Sequence, residues 1–488
     1  MQIKDKELFK QNGFINGEWV GSISQKKFNI SNPSDLSIVG TMPDMNREDT
    51  ILAIEAANKS WSKWKSTTSK ERSQIIRDWH NLILANIDDL ALIMTLENGK
   101  PIADSKGEII YASWFTEWFS EEAKRTYGKT IPTTIKGRRI LTIKQSIGVC
   151  GIITPWNFPA AMITRKVAPA LAAGCPVVIK PAGSTPFTAT ALVELARRAG
   201  VPKGVINLIS VSEESVSEVG NELCTNELVR KISFTGSTNV GKNLMAKTAS
   251  TIKKVSMELG GHAPFIVFQD ADLDSAVEGA MANKYRNSGQ VCVSANRIFV
   301  HEKIYDEFAD KFAKKSALLK VSDGRTEGAQ IGPLITKKAL EKVQDHVSDA
   351  IEKGAKVITG GDIDKAGLQF YQPTVIKDIN NKMKIYYEET FGPVAPLVKF
   401  TNEEEVIKMA NDTKYGLAGY FYSRDIGRIW RMAEELEYGM IGVNAGVISS
   451  EVAPFGGVKE SGVGREGAAE GIDEYLETKY IAIDGVDH

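Results

Sequence analysis

The strongest constraint on the fold is a strand–helix–strand pattern between residues 174 and 209. Residues 174–180 and 205–209 are short runs rich in valine and isoleucine, which predicts two strands. The stretch between them, 185–200, carries apolar residues on one helix face and ends in a glycine: Leu192, Leu195, Ala196, Ala199 and Gly200. A strand, a helix and a second strand in this order predict a parallel sheet and an α/β protein.

Other elements extend this pattern. Asp272 is a candidate N-cap for a helix that runs to about residues 287–289, just before Cys292. Residues 230–241 are predicted to form a strand followed by a glycine turn, and 475–483 another strand. Turn formers stand among β-branched residues in 127–137, so this segment and 475–483 are candidate arms for pairing with other elements or subunits.

Composition narrows the class of protein. The 488 residues include 60 basic and 61 acidic side chains, so no overall positive field favours nucleic acid. The first residues are polar and no apolar run is long enough for a membrane span, so no membrane partner is expected. The cysteine spacing fits neither a disulfide framework nor a zinc site, which predicts a reducing cytoplasm and no metal. The four cysteines are Cys150, Cys175, Cys224 and Cys292.

Three residues stand where chemistry is plausible, each with an ordinary alternative. Cys292 follows a glycine and a predicted helix end, where a thiolate could reach a substrate. The alternative is a buried, unreactive thiol, which is the interpretation given to the other three cysteines. Glu258 lies beside apolar residues and two glycines, which could make it a general base with a raised pKa. The alternative is an exposed carboxylate at the end of a helix or strand. Asn157 lies between two prolines, as an oxyanion donor or a turn former.

Two further features suit a nucleotide. Lys180 ends a predicted parallel strand, where ligands of open α/β sheets bind, although solvated lysines also end strands. The turn 234–241 opens toward a helix and could hold a pyrophosphate on backbone N–H groups. It lacks the G-x-G-x-x-G fingerprint, so the pattern alone is weak.

Taken together, the motifs resemble the aldehyde dehydrogenase superfamily from about Phe14 to Ile483. Seven motifs follow one another in the family's order, which makes chance implausible. They are TPWNFP (154–159), VIKPA (178–182), FTGSTNVG (234–241), MELGG (257–261), GQVC (289–292), EETFGPV (388–394) and PFGGVKESGVGRE (454–466).

The resemblance implies a catalytic set and a cofactor. Cys292 would be the nucleophile, Glu258 the general base and Asn157 the oxyanion donor. Lys180 and Glu389 would hold the two riboses of NADP or NAD, with Gly236 and Ser237 at the pyrophosphate. The remaining cofactor residues it implies are Thr154, Pro155, Trp156, Ala182, Gly183, Ser184, Gly220, Phe234, Thr235, Leu259 and Phe391.

The tail, through 419–428 and 446–456, resembles the succinate-semialdehyde dehydrogenase branch of that family. The branch implies that Arg165, Arg286 and Ser449 hold a substrate carboxylate, since a guanidinium fork fits a carboxylate. Succinate semialdehyde is therefore the expected substrate. Two alternatives stay open: another small aldehyde such as glutarate semialdehyde, or a non-catalytic binding or structural protein on the same fold.

Three departures from the family pattern matter. Ser294 replaces a second cysteine of some relatives, which excludes a disulfide switch there. His262 stands where the family has asparagine or lysine, and a structural role is expected. Residues 181–185 contain no carboxylate, and Gly183 is expected to leave room for a 2′-phosphate beside Ser184, so NADP is favoured over NAD.

The implied fold is an α/β, aldehyde dehydrogenase-like architecture in three parts. A Rossmann-type dinucleotide-binding domain would comprise 1–122 and 144–254, and an α/β catalytic domain 255–450. A small β oligomerisation arm would comprise 123–143 and 468–488. The resemblance also implies a homodimer or homotetramer whose only other partner is a small-molecule aldehyde.

Overall fold

A computed structural model describes residues 2–486, so Met1 and residues 487–488 of the predicted domains lie outside the described part. The strands are β1 (Gly13–Ile15), β2 (Glu18–Val20), β3 (Lys27–Ser31), β4 (Ile38–Pro43), β5 (Lys129–Ile131), β6 (Arg138–Ser146), β7 (Val149–Ile153), β8 (Val177–Lys180), β9 (Ile206–Leu208), β10 (Val229–Thr235), β11 (Lys254–Glu258), β12 (Ala263–Val267), β13 (Ala295–His301), β14 (Lys356–Thr359), β15 (Thr374–Lys377), β16 (Val394–Phe400), β17 (Ala418–Tyr422), β18 (Met440–Val443), β19 (Gly462–Val463) and β20 (Leu476–Asp484).

The helices are α1 (Arg47–Lys65), α2 (Ser69–Ala85), α3 (Ile87–Asn98), α4 (Ile102–Glu122), α5 (Ala161–Ala173), α6 (Pro186–Arg198), α7 (Val216–Thr225), α8 (Thr238–Thr248), α9 (Leu273–Tyr285), α10 (Tyr305–Ser316), α11 (Lys337–Glu352), α12 (Lys384–Tyr387), α13 (Glu403–Asn411), α14 (Ile426–Glu435) and α15 (Glu470–Asp473). Among residues 2–486, no helix combines the length and apolar character needed to cross a bilayer.

The predicted strand–helix–strand unit is confirmed as β8–α6–β9. All four residues of β8 are buried, which explains its continuous apolar run, and β8 and β9 pair in parallel. Pro186 opens α6 at a position where its missing N–H costs nothing. Gly200 follows the helix with a φ of 93°, a left-handed conformation that favours glycine.

Two large sheets carry the candidate site. The first has the order β19-β11-β10-β7-β8-β9-β1-β2, with parallel pairing from β11 to β9. The second has the order β14-β15-β16-β13-β12-β17-β18 and is parallel except between β14 and β15. The α/β fold class is therefore confirmed. Helix α9 leads into the turn before Cys292, with Asp272 accepting the N–H of Ser275 at 3.1 Å as the predicted N-cap.

A third, antiparallel sheet of order β20-β6-β5 unites the two predicted arm segments. The predicted line between residues 254 and 255 runs through β11, which belongs to the first sheet, and β19 extends that same sheet at its edge. The division into domains stays a prediction.

Candidate active site

Cys292 lies between a short 3-10 turn, Arg286–Gly289, and strand β13. The turn is tight: Asn287 and Ser288 both adopt left-handed conformations, with φ of 47° and 56°. Gly289 also has a positive φ, and a Cβ there would lie 2.1 Å from the carbonyl oxygen of Gly392. The backbone of Gly392 comes so close that only glycine fits at position 289, three residues before Cys292.

Burial raises the pKa of the Cys292 thiol to about 12. The guanidinium groups of Arg165 and Arg286 oppose this rise, whereas the carboxyl groups of Glu389 and Glu258 add to it. The thiol is therefore protonated at neutral pH in the free protein, and the positive charges nearby are what favours its thiolate. The same interactions place the predicted nucleophile, base and substrate residues in one neighbourhood.

Asn157 is buried, and hydrogen bonds hold both its side chain and its backbone carbonyl. Its Nδ2 donates to the carbonyl of Gln290 at 3.0 Å, two residues before Cys292. Its own backbone carbonyl accepts from Nζ of Lys100 at 2.7 Å and Nδ2 of Asn287 at 3.0 Å. Because a carboxamide nitrogen has two hydrogens, one remains for an oxygen bound near Cys292.

Lys100 and Glu108 support this arrangement and were not predicted. Their side chains, each 1% exposed, form an ion pair at 2.5 Å. Glu108 also accepts the N–H groups of Ala160 and Ala161, at the start of α5, at 2.8 and 3.2 Å. A glutamate beside apolar residues of α4 indicates that Glu108 has a buried partner. The sequence does not show that this partner is Lys100.

Glu258 ends β11 and is buried, with Oε2 lacking a hydrogen-bond partner among the described residues. Burial raises its pKa well above the usual range, and the nearby carboxylate of Glu466 raises it further. The positive charges of Arg165, Lys166 and Arg465 oppose these effects. A carboxyl group with a raised pKa and a free oxygen has the properties of a general base or acid.

Arg165, which the resemblance assigns to the substrate carboxylate, also has a partner within the protein. Its Nε lies 2.6 Å from Oε2 of Glu466, and the two side chains are only 1% and 5% exposed. Lys166 also pairs with Glu466, which lies 300 residues away in the chain. Two basic residues within an apolar helix signal a buried acid, but the sequence does not say which one. The Arg165 charge is thus largely balanced within the protein.

Arg286 has no ion pair among residues 2–486, and its guanidinium lies 4.9 Å from the ring of Phe158. It lines a cavity together with Ser449 and with residues before and after Cys292. The other lining residues are Ala282, Asn283, Val291, Val293, Tyr420, Gly446, Val447 and Ile448. The free guanidinium and the serine hydroxyl give this otherwise mostly apolar cavity an anion-binding end.

The residues implied to bind the two riboses are both buried. Burial lowers the pKa of Lys180 to about 8, and its Nζ donates to the carbonyl of Pro181 at 3.0 Å. Burial raises the pKa of Glu389 to about 7, and its Oε1 accepts the N–H of Gly261 at 3.1 Å. Each keeps hydrogen-bonding capacity for hydroxyl groups, so these residues fit a dinucleotide.

Several other implied cofactor residues are brought together. The rings of Trp156 and Phe391 lie 5.7 Å apart, edge to face. The hydroxyls of Thr154 and Thr235 are buried without a partner among residues 2–486, which suits a polar ligand. Leu259 packs so closely on α8 that a Cβ at Gly241 would meet it at 2.3 Å. Pro155 lies between Thr154 and Trp156, and Phe234 lies in β10 next to Thr235.

The turn between β10 and α8 differs in detail from the expected pyrophosphate cradle. The N–H of Gly236 donates to the carbonyl of Glu258 at 3.0 Å, so it is already used. Ser237 is the N-cap of α8, with Oγ 3.5 Å from the N–H of Val240. An anion at this helix end would therefore meet the first turn of α8, and Gly236 supplies close packing against Phe234.

The loop after Lys180 forms a turn in which the N–H of Thr185 donates to the carbonyl of Ala182 at 3.2 Å. A Cβ on Gly183 would lie 2.8 Å from the carbonyl oxygen of Val211. The expectation that Gly183 leaves room for a phosphate is therefore wrong. A side chain at this position would point at the backbone of Val211, so its absence does not open space on the ligand side. Ser184 is half-buried in the same turn.

Gly220 lies on α7, where a Cβ would reach Leu244 of α8 at 3.8 Å. An open groove of about 590 Å³ lies beside these two helices. Its lining residues are Lys26, Glu214, Ser215, Ser217, Glu218, Asn221 and Lys247.

His262 is buried, and its Nε2 lies 2.8 Å from the carbonyl oxygen of Tyr386. Burial lowers its pKa well below the usual range, and the charge of Arg297 adds to this effect. The imidazole is therefore neutral, in keeping with the structural role expected for it.

The fold and this site define an aldehyde dehydrogenase. A sequence profile of the aldehyde dehydrogenase family matches residues 19–481, and the chain belongs to that family. Its relatives include glutarate-semialdehyde dehydrogenase of Pseudomonas putida, 56% identical over 99% of this chain and 100% of that protein. Succinate-semialdehyde dehydrogenase [NADP(+)] GabD of Escherichia coli is 54% identical over 99% of this chain and 100% of that protein. The crystal structure of succinate-semialdehyde dehydrogenase from Burkholderia pseudomallei superposes with a TM-score of 0.98, at 55% identity and 99% and 100% coverage.

Proposed function

We propose that this protein oxidises succinate semialdehyde to succinate with a nicotinamide dinucleotide, through a thioester on Cys292. The observation that carries the proposal is the unpaired guanidinium of Arg286 in a cavity that adjoins Cys292. Family membership and the relatives that act on ω-carboxylated aldehydes, as their names state, support the same substrate class.

In this proposal the Cys292 thiol gives its proton to water, aided by the positive charges of Arg165 and Arg286, and the resulting thiolate attacks the aldehyde carbon to form a tetrahedral oxyanion. The second hydrogen of the Asn157 carboxamide and a backbone N–H stabilise that oxyanion, worth about 3 kcal/mol per donor in comparable sites. A nicotinamide dinucleotide held by Lys180 and Glu389 would supply the acceptor for the hydride of the substrate carbon. Glu258 then takes a proton from water, which attacks the thioester and releases the acid and the thiol.

The substrate carboxylate is assigned to Arg286 and Ser449, with Arg165 beside them. We expect Arg286→Ala to lower kcat/KM for succinate semialdehyde by roughly ten- to a hundred-fold, since a lost charged hydrogen bond costs about 1.5–3 kcal/mol. Propanal, which lacks the acid group, should lose far less. Steady-state kinetics on both aldehydes measures this ratio.

Arg424→Ala is the matched control, because Arg424 is an arginine on the surface that pairs with Asp272. Equal losses on both aldehydes in Arg286→Ala would mean that the arginine serves the fold. Arg165→Ala is a poorer test, because it removes one of the two positively charged partners of Glu466 near Glu258 and should impair turnover of both aldehydes.

Glutarate semialdehyde is the second candidate substrate, favoured by the Pseudomonas putida relative of that name. It carries the same terminal carboxylate on a chain one carbon longer, so the anion-binding residues serve either molecule. The wild-type kcat/KM values for the two acid aldehydes distinguish them.

We expect NADP to be used at least as well as NAD. The loop 181–185 contains no carboxylate that would repel a 2′-phosphate, and Lys180 supplies a positive charge. Because burial lowers the Lys180 pKa to about 8, its charge is lost as pH rises through 8. The ratio of kcat/KM for NADP to that for NAD should therefore fall above pH 8.

Ser184→Glu should shift the ratio toward NAD, because it adds a carboxylate to the turn. This variant is preferable to Gly183→Glu, whose Cβ would collide with the Val211 carbonyl. A wild-type ratio strongly favouring NAD would overturn this interpretation of the loop.

We also infer a homodimer or homotetramer that acts in the cytoplasm. The sheet β20-β6-β5 leaves apolar side chains exposed, among them Ile131, Tyr480 and Ile483, which supports burial against another subunit.

A further inference from the structure

Tyr111 lies on α4, the helix that packs along α5 and its Arg165. Its ring meets the ring of Phe115 edge to face, with centroids 5.0 Å apart. The ring of Phe115 in turn lies 5.8 Å from the Arg165 guanidinium. Tyr111 is thus held by aromatic packing next to the residues assigned to the substrate carboxylate.

The hydroxyl of Tyr111 is buried and has no hydrogen-bond partner at regular geometry among residues 2–486. Buried hydroxyls without a partner are uncommon, because desolvation of the group is then not compensated. An oxygen of a bound ligand would supply the missing acceptor.

The charges around this hydroxyl indicate what kind of ligand it meets. Burial raises the pKa of Tyr111, so the phenol stays protonated and can donate. The guanidinium groups of Arg165 and Arg286 and the hydroxyl of Ser449 act in the opposite direction, which places all three close to it. A phenol among two cations and a hydroxyl donor faces a site for an anion.

We propose that Tyr111 is a specificity-determining residue whose hydroxyl donates a hydrogen bond to the terminal carboxylate of the aldehyde substrate. This inference rests on the proposed function, since it requires a substrate with an acid group. Tyr111 adds a donor from α4 to those of Arg286 and Ser449, so the acid end is held from several segments of the chain.

The test is Tyr111→Phe, which removes the hydroxyl and keeps the ring packing. We expect kcat/KM for succinate semialdehyde to fall by about ten-fold or more, mainly through KM, with propanal changed less than two-fold. The melting temperature should stay near that of the wild type, because the ring packing against Phe115 is kept. A loss shared equally by both aldehydes, or no loss on either, would overturn the proposal.

Tyr285→Phe is the matched control. Its hydroxyl is also buried without a partner among the described residues, but its ring packs on Phe312. Its kinetics on both aldehydes should match those of the wild type. If the wild type itself shows no preference for acid aldehydes over propanal, the proposed substrate class fails and this inference with it. If that preference exists and Tyr111→Phe retains it, only the role of Tyr111 fails.

Discussion

Replacing Cys292 by alanine is expected to lower aldehyde oxidation by about 10³-fold or more while dinucleotide binding stays within a few-fold of wild type. No other described group near the site offers a nucleophile of this kind, because Cys150, Cys175 and Cys224 are buried elsewhere in the fold. Without the thiol no thioester forms, whereas the residues assigned to the cofactor are untouched. Cofactor reduction and dinucleotide titration measure the two effects separately.

Cys175→Ala is the control, since it removes a buried thiol that donates to the carbonyl of Tyr475 rather than lining the site. It should retain near-wild-type turnover, although the lost side chain lowers stability. Dehydrogenase activity close to wild type in Cys292→Ala would show that Cys292 is not the nucleophile.

The second large effect is expected from Glu258→Gln, which should accumulate the acyl-enzyme. Attack and oxidation of the aldehyde do not require a base at this position, but hydrolysis of the thioester does. Steady-state turnover should therefore fall by about 10²- to 10⁴-fold after a burst of one cofactor reduced per active site. Mass spectrometry of the intact variant after substrate addition should show the acyl adduct.

Glu278→Gln provides a matched control, because Glu278 is an exposed glutamate on α9 that pairs with Lys315. The pH dependence gives a further check. Burial raises the Glu258 pKa, so deacylation in the wild type should speed up as pH rises through that raised pKa. Turnover that persists in Glu258→Gln without an adduct would mean that another group activates the water.

The local elements could be predicted because their signals lie within a few neighbouring residues. The apolar run of β8, the face of α6 and the N-cap Asp272 of α9 follow from spacing and hydrogen-bonding capacity alone. The same holds for the turn before Cys292, where Gly289 adopts a φ of 75°, a left-handed conformation that favours glycine. These elements agree between sequence and structure because short-range geometry decides them.

The surroundings of the predicted site residues could not be predicted in this way. Lys166 pairs with Glu466, which lies 300 residues away. Lys100, between α3 and α4, donates to the backbone carbonyl of Asn157. Arg165 and Arg286 look equivalent in the sequence, yet within residues 2–486 only Arg165 forms an ion pair with a carboxylate. Such differences depend on which distant segments the fold brings into contact.

By itself the sequence determined the α/β class, the family and the identity of the candidate reacting groups, because each is carried by a contiguous motif. The tertiary structure decided which charges are balanced, which hydroxyls stay unpaired and which way Gly183 faces. The physical reason is that electrostatic energy, desolvation and steric contact act through space. Arg286 and Tyr111 acquire their proposed roles from neighbours on other helices and loops, and those neighbours are defined only once the chain is folded.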